Sequence, residues 1–155
     1  MVGLCSVILI GVVGPATFAT LAMDADVKES VMNDLNRFVE RREYYRRVGK
    51  AWKRGYLLYG LPGTGKSSLI AAMANYLNFD IYDLELADMT NSMLRQLLLD
   101  PALFRPGRMD VHINMSYCTP CGFRLLASNY HGITQHERFE DIDDLIGKVE
   151  ITPRR

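Results

Sequence analysis

The feature that most constrains this 155-residue sequence is a glycine-rich turn, residues 60–68, between an apolar run and a helix-forming run. Tyr56 to Tyr59 form the short apolar run, and Ser67 to Leu77 favour a helix. The turn has the spacing G-x4-G-K-S, which is typical of a phosphate-binding loop that joins a strand to a helix. The sequence therefore predicts a chain that binds a nucleoside triphosphate or descends from one that did. A glycine turn without a ligand is the weaker alternative.

The residue types of the turn suit a phosphate ligand. Its glycines let the backbone curve so that several N–H groups point at one anion, and the following helix directs its positive end there. Lys66 is expected to reach the β- and γ-phosphates, and the Ser67 hydroxyl is expected to bind Mg²⁺. The predicted nucleotide-binding residues are Gly60, Leu61, Pro62, Gly63, Thr64, Gly65, Lys66, Ser67 and Ser68.

Charge is balanced overall but unevenly distributed. The net charge is zero, so there is no general argument for a nucleic-acid partner. Residues 37–54 contain eight basic and two acidic side chains, whereas residues 137–150 contain six acidic and two basic ones. The basic stretch favours a solvated face, with an anionic partner or a neighbouring subunit as the alternative. Three cysteines do not form a disulfide framework, which indicates a reducing compartment.

The first 23 residues carry no charged side chain. Val2 to Val13 is apolar but ends at Gly14-Pro15, and it is shorter than the about 20 residues that a membrane-spanning helix needs. A secretory signal would have basic residues before the apolar run, and there are none. We expect an extension packed on the domain, with a remnant membrane anchor as the alternative.

Periodicity predicts the remaining elements. Asp26 is expected to cap a helix from Val27 to about Val48, which Gly49 ends. The inward positions of this helix are Val27, Val31, Leu35, Phe38 and Val39. Further predictions are strands at Phe79–Leu86 and Val111–Met115, and helices at Met93–Leu99, Gly122–Tyr130 and Phe139–Ile146.

The cysteine and histidine patterns are weak signals. Cys118 and Cys121 form a lone C-x-x-C after a late strand, without the second ligand pair of a zinc site or the context of a redox helix. A structural role is expected. The histidines have no ligand spacing; they are His112, His131 and His136.

Several segments together resemble AAA ATPases. The match lies in residues 54–60 with the loop, and in the segment Asp100 to Asp110, which reads D-P-A-L-F-R-P-G-R-M-D. Residues 15–24, 49–55 and 71–77 resemble the plant hypersensitivity-related AAA-ATPases. These belong to the branch typified by a mitochondrial respiratory-complex assembly chaperone, and the resemblance covers residues 15–155.

The resemblance implies an α/β P-loop NTPase fold of the AAA type. Such a fold has a parallel sheet flanked by helices, a C-terminal helical lid, and a ring-shaped oligomer that binds ATP and Mg²⁺. Arg105 and Arg108 match the arginine fingers, which stabilise the transition state in a neighbouring subunit. Lys66, Arg105 and Arg108 are then the implied catalytic residues, although two surface arginines in a Pro-Gly turn would look the same in isolation.

One departure from the family matters most. Leu99 runs directly into Asp100, where the family has the Walker B strand with its acidic pair and the sensor strand. No replacement is evident, because Asp80 and Asp83 lie on the wrong strand and residues 139–144 suit an amphipathic lid helix. The inward positions expected for that helix are Phe139, Ile142, Leu145 and Ile146. We therefore predict an uncharged extension at 1–23, an incomplete core at 24–115 with a deletion at 99/100, and a partial lid at 116–155. The phosphate-loop strand loses a neighbour, and marginal stability is expected.

The resemblance leaves three functional interpretations. The first is an ATP-binding AAA ATPase that remodels proteins and hydrolyses ATP poorly by itself. The second is a hydrolysis-deficient module that supplies Arg105 and Arg108 in trans. The third is a product of splicing or gene prediction without function. Expected partners are ATP or ADP, homologous subunits and a protein substrate. The expected location is a mitochondrial or endoplasmic-reticulum membrane, or otherwise the cytoplasm.

Overall fold

The computed structural model describes residues 15–81 and 109–153, which form five helices and two strands. In chain order these are α1 (Ala25–Glu40), α2 (Arg42–Arg47), β1 (Tyr56–Gly60), α3 (Lys66–Leu77), β2 (Val111–Met115), α4 (Pro120–His131) and α5 (Phe139–Ile146). The predicted bounds of β2 and α5 are confirmed, and α3 and α4 begin one and two residues earlier than predicted. The helix predicted at 93–99 and the deletion predicted at 99/100 lie outside the described residues. No helix within the described ranges is long and apolar enough to span a bilayer.

The two strands pair in parallel. The register runs from Tyr56 opposite Val111 to Gly60 opposite Met115. This pairing of the strand before the loop with the strand at 111–115 confirms the predicted fold class, a parallel sheet flanked by helices. Of the second predicted strand, residues 79–81 are not in a strand, and the remainder lies outside the described residues.

The core lies between the sheet and the helices α1 and α3. Leu35 of α1 and Leu69 of α3 are almost completely buried, at 1% and 0% exposure. Each fully buried leucine contributes roughly 1.5–3 kcal/mol of transfer free energy. The other buried members of this core are Phe18, Leu21, Val31, Leu58, Ala72, Ile113 and Met115. These side chains pack α1 and α3 against both strands. β1 leads into the loop, and β2 lies beside β1.

The predicted helix from Val27 to Val48 is wrong as a single element, because the chain turns at Arg41. The indole N–H of Trp52 donates to the carbonyl of Phe38 at 2.9 Å, and the two rings stack with centroids 4.5 Å apart. In a continuous helix that carbonyl would accept from the amide of residue 42. The tryptophan thus holds the end of α1 and acts as a packing anchor against Phe38.

Three details at the ends of α1 and α2 bear on the prediction. Asp24, not Asp26, precedes the first turn of α1, and its side chain makes no capping hydrogen bond. Val39 was predicted to face inward but is 42% exposed, in the last turn of α1, which ends one residue later. Gly49 follows α2 with a φ of 66°, which fits its predicted role as a helix stop.

The two last helices pack against each other, and α4 also contacts the segment before α1, because the Asn129 side-chain amide donates to the Thr20 carbonyl at 3.0 Å. Phe139 of α5 is buried against Phe123 of α4, with ring centroids 5.9 Å apart. An ion pair between Arg124 and Asp143 also joins the two helices. Leu145 was predicted to face inward but is 56% exposed, because it lies on the side of α5 that faces away from α4.

A polar cluster ties the start of β1 to α1. The Arg54 guanidinium donates twice to the Asp34 carboxylate, at 3.0 and 2.5 Å, and the Tyr56 hydroxyl donates to it at 2.6 Å. Burial opposes the charge of Asp34, but the hydrogen bonds from Arg54 and Tyr56 hold the pKa of this carboxyl below its usual value. Burial and the neighbouring carboxylate raise the pKa of Tyr56. The cluster therefore stays ionised at Asp34 and fixes the strand that leads into the loop.

Replacement of Asp34 by Asn is expected to lower the free energy of unfolding by about 2–3 kcal/mol, since it leaves the Arg54 charge without its carboxylate. Because the folded-state pKa of Asp34 is depressed, its contribution is present above the unfolded pKa of about 3.9 and is lost as the pH falls through the folded value. Urea unfolding of wild type and Asp34→Asn at pH 7 and pH 3 measures both effects. Glu29→Gln, on the same helix, is the control. If wild type and Asp34→Asn differed in unfolding free energy by as much at pH 3 as at pH 7, this assignment would be contradicted.

Candidate functional site

The loop begins where Gly60 leaves β1. Gly60 has a φ of 143°, and a Cβ atom there would lie 2.3 Å from the carbonyl oxygen of Met115 on the paired strand. Only glycine permits this approach of two backbones. At the other end of the loop, Gly65 has a φ of 90° and is the residue from which α3 starts. The strand register and these two glycines therefore set the path of the loop.

Lys66 lies inside the curve of the loop. Its side chain is buried at 6% exposure, and its ammonium donates to the carbonyl oxygens of Gly60 and Leu61 at 3.1 and 2.6 Å. The hydroxyl of Thr64 lies 3.4 Å from the same ammonium and donates to the Leu61 carbonyl at 2.9 Å. A buried cation needs such partners, because its burial without them would be costly. The loop thus holds one positive charge close to its own backbone.

The start of α3 supplies the second attractive element. A helix leaves its first N–H groups without partners inside the helix, and its positive end favours an anion. Ser67 and Ser68 in the first turn of α3 are exposed, while Thr64 just before it is buried at 2%. The structure therefore brings together the predicted residues 60–68 in one loop, with Lys66 inside and the Ser67 hydroxyl accessible. A triphosphate and its metal ion fit this donor set, with Lys66 and the α3 amides for phosphate and Ser67 for Mg²⁺.

A pocket lies beside the loop at the carboxyl end of β2. Ligands of open parallel sheets bind at this end of the strands. The pocket is lined by Ala22, Met23, Asp24, Val27, Thr64, Asn114, Met115, Ser116, Tyr117 and Thr119. Sequence reasoning did not assign these residues to a site, apart from Thr64 of the loop. Their position in the sequence could have indicated this site. Residues 114 and 115 end the strand that pairs with β1, and residues 116 and 117 directly follow it.

The C-x-x-C pair belongs to the beginning of α4. Thr119 precedes this helix, and its hydroxyl accepts from the amide of Gly122 at 3.2 Å, while Pro120 occupies the first turn. Burial raises the pKa of the Cys118 thiol, which lowers its reactivity. Cys121 is exposed. Both cysteines thus lie at the beginning of a helix, and their structural role stays a prediction.

The described part of the chain places no other candidate site residue at the loop. Arg105, Arg108 and Asp83 lie outside the described residues, and Asp80 is exposed at the end of the described segment. The acidic residues at 139–144 form part of α5, as the sequence predicted. Within the described ranges no three His, Cys, Asp or Glu side chains converge on a possible metal position. The predicted roles of Arg105 and Arg108 stay predictions.

Comparison with protein families assigns the chain. Residues 56–98 match the "ATPase family associated with various cellular activities (AAA)", and residues 118–154 match the "At3g28540-like, AAA+ ATPase lid domain". The first match contains β1, the loop and α3, and the second contains α4 and α5. The chain belongs to the AAA ATPase family. In this AAA chain the loop at residues 60–68 lies within the match to the ATPase model, and the last two helices lie within the match to the lid model.

Curated relatives from Arabidopsis thaliana agree with this assignment. AAA-ATPase At3g50940 is 44% identical over 208 positions, and Protein HYPER-SENSITIVITY-RELATED 4 is 45% identical over 214. AAA-ATPase At2g18193 is 43% identical over 210 positions. Each match covers 90% of this chain but 46%, 37% and 42% of the respective relative. The AAA chain therefore spans less than half the length of these relatives.

The alignment lengths show a deficit inside the AAA chain. Since 90% of 155 residues is about 140, an alignment of 208 positions contains about 68 positions at which AAA-ATPase At3g50940 has residues and this chain has none. The AAA family match ends at residue 98, and the lid match begins at residue 118. A deficit of this size accommodates the two strands that the sequence predicts to be missing at 99/100.

Replacement of Gly60 by Ala tests the close approach of the loop to β2. The new Cβ would meet the Met115 carbonyl, so we expect a loss of about 3 kcal/mol in unfolding free energy, from overpacking and an unfavourable φ together. Gly132→Ala is the matched control, because Gly132 also has a positive φ, at 67°, but no atom of the described residues lies within 4 Å of the position that its new methyl group would take. The control is expected to lose only about 1–2 kcal/mol. Equal losses in a denaturant titration would contradict the proposed contact.

Proposed function

We propose that this AAA chain binds ATP or ADP, with Mg²⁺, at residues 60–68. The observation that carries the proposal is the buried Lys66 ammonium, held inside a glycine loop at the start of α3. A cation and a helix N-terminus at one point form an anion site. Membership of the AAA family supports a nucleotide as that anion.

In the bound complex each group has a distinct task. The Lys66 ammonium has three donors and can direct one to a β- or γ-phosphate oxygen while it keeps a loop carbonyl. The amides at the start of α3 would donate to the same phosphates, and the Ser67 hydroxyl would hold Mg²⁺. Mg²⁺ neutralises phosphate charge when bound.

Hydrolysis by this chain alone is proposed to be weak. Phosphoryl transfer to water requires a group that positions the water and, in P-loop NTPases, an acidic residue that helps hold Mg²⁺. The sequence has no strand-borne acidic pair after Leu99, and the deficit of about 68 aligned positions supports the loss of that segment. Arg105 and Arg108 would then act on nucleotide held by a homologous subunit.

The wider setting is proposed from the family. AAA proteins generally bind nucleotide and oligomerise, so we propose that the chain contacts homologous subunits in an assembly that remodels a protein substrate. A mitochondrial or endoplasmic-reticulum membrane is the proposed location, and it rests on the sequence resemblance alone.

Replacement of Lys66 by Ala is expected to weaken binding of a fluorescent ATP analogue by about 10- to 100-fold, because a charge-assisted hydrogen bond to phosphate is lost. Lys28→Ala, on α1, is the control and should bind as wild type does. Circular dichroism shows whether each variant keeps its helices. Unchanged affinity in a folded Lys66→Ala variant would overturn the proposed site.

Phosphate release from ATP is expected to be no faster with the wild-type chain than with Lys66→Ala, because no described group positions the attacking water. The measurement is a phosphate-release assay at saturating Mg·ATP, using protein whose nucleotide binding has been demonstrated. Turnover that depends on Lys66 would show that the chain hydrolyses ATP without the predicted missing strands.

A further inference from the structure

A groove lies between α1, α4 and the segment that precedes α1. Its volume is about 380 Å³, which is in the range of sites that bury a ligand. Met23, Met32 and Leu125 supply its large apolar side chains, and all three are only partly buried. The complete lining consists of Ala19, Met23, Ala25, Lys28, Glu29, Met32, Asn33, Asn36, Cys121 and Leu125.

The walls of the groove are held together by contacts within the described part of the chain. The side-chain amide of Asn129 on α4 donates to the Thr20 carbonyl at 3.0 Å. The same helix passes close to the segment before α1, since a Cβ atom on Gly122 would lie 3.8 Å from the Cβ atom of Ala22. The groove is therefore preformed, and an occupant does not have to organise its walls.

The polar side chains of the lining suit an uncharged segment of chain. Lys28 and Glu29 carry opposite charges at adjacent positions, and Asn33 and Asn36 add two uncharged amides. The groove thus has no net charge, unlike the basic stretch around α2 and the acidic stretch around α5. A side-chain amide both donates and accepts, so these amides can bond to backbone groups that an occupant would bury.

Residues 2–13, which lie outside the described residues, form a segment of matching chemistry. The segment reads V-G-L-C-S-V-I-L-I-G-V-V and contains no charged side chain. Contact of such a run with water is unfavourable, and no charge in the segment opposes its burial. Ala19 of the groove follows soon after it in the chain, and the six residues from 13 to 19 span at most about 22 Å. The groove is therefore within reach of the segment.

We propose that residues 2–13 of this chain bind in the groove between α1 and α4. Apolar side chains of the segment cover the apolar lining, and the amides of Asn33 and Asn36 bond to its backbone. Leu35 of α1 is buried in the core, whereas α4 lies within the match to the lid model. The bound segment therefore ties the lid to the core. This contact does not depend on nucleotide binding at residues 60–68.

Alkylation of a single thiol tests whether the segment covers the groove. Cys5→Ser with Cys118→Ser leaves Cys121, which lines the groove, as the only thiol of the chain. In that background, Ile8→Asp with Ile10→Asp places two charges in the segment, and the burial of unpaired charge is costly. We expect iodoacetamide to modify Cys121 at least about tenfold faster in this charged variant, because the segment leaves the groove. Ile8→Val with Ile10→Val keeps the segment apolar and should keep the slow rate.

A thiol outside the groove is the control. Ser30→Cys, combined with Cys121→Ser, moves the single thiol to an exposed position of α1 that does not line the groove. Its alkylation rate should be the same with the apolar and with the charged segment. Equal rates at Cys121 in the two chains overturn the proposal. Equal acceleration at both thiol positions also overturns it, because the charges would then act on the whole chain rather than on the groove.

Cross-linking distinguishes the groove of the same chain from other sites for the segment. In Cys118→Ser protein, a short bis-maleimide is expected to join Cys5 to Cys121 within one chain, in a yield that does not depend on protein concentration. A cross-linked dimer, or no product within one chain, overturns the proposal. Flotation of the wild-type chain with phosphatidylcholine vesicles, lost in Ile8→Asp with Ile10→Asp, assigns the segment to a membrane and also overturns it.

Discussion

The close approach of Gly60 to the backbone of Met115 is the constraint on which the site depends. The parallel register of β1 and β2 places these residues opposite each other, and a Cβ atom on Gly60 would lie 2.3 Å from the Met115 carbonyl. The chain therefore leaves the sheet at a fixed point and in a fixed direction. From that point a short loop suffices to reach Lys66, whose ammonium returns to the carbonyls of Gly60 and Leu61.

The surroundings of β1 make this geometry rigid before any ligand arrives. Hydrogen bonds from Arg54 and Tyr56 to Asp34 join the start of β1 to α1. Leu35 of α1 and Leu69 of α3 are buried in the same core. Ordering a loop costs conformational entropy at about 1–2 kcal/mol per residue. Because folding has already ordered the loop, phosphate binding does not have to order it again, and the affinity for phosphate is higher.

The loop and its elements could be predicted from the sequence because their signals are local. Gly60, Gly65 and Lys66 identify the loop by spacing alone, and an apolar run before it predicts β1. The break at Arg41 could not be predicted, because it depends on a hydrogen bond from Trp52, 14 residues away from its acceptor Phe38. The Asp34 cluster and the pocket beside Thr64 were missed for the same reason, since chain segments far apart in sequence meet there.

The lid helices illustrate the limit of periodicity. The sequence predicted α5 with its bounds, but it placed Leu145 inward, whereas α4 covers only the side that carries Phe139. An amphipathic pattern states which residues are apolar, and only the partner helix decides which of them are buried.

A preorganised phosphate site at residues 60–68 can be detected amide by amide. The decisive experiment is a titration of ¹⁵N-labelled protein with Mg·ATP, followed by amide chemical shifts. We expect large shifts confined to the loop and the first turn of α3, Gly60 to Ser68, with small shifts at the carboxyl end of β2 and none in α2. Saturable binding with unchanged loop amides, or shifts concentrated elsewhere in the chain, would contradict a phosphate site in this loop.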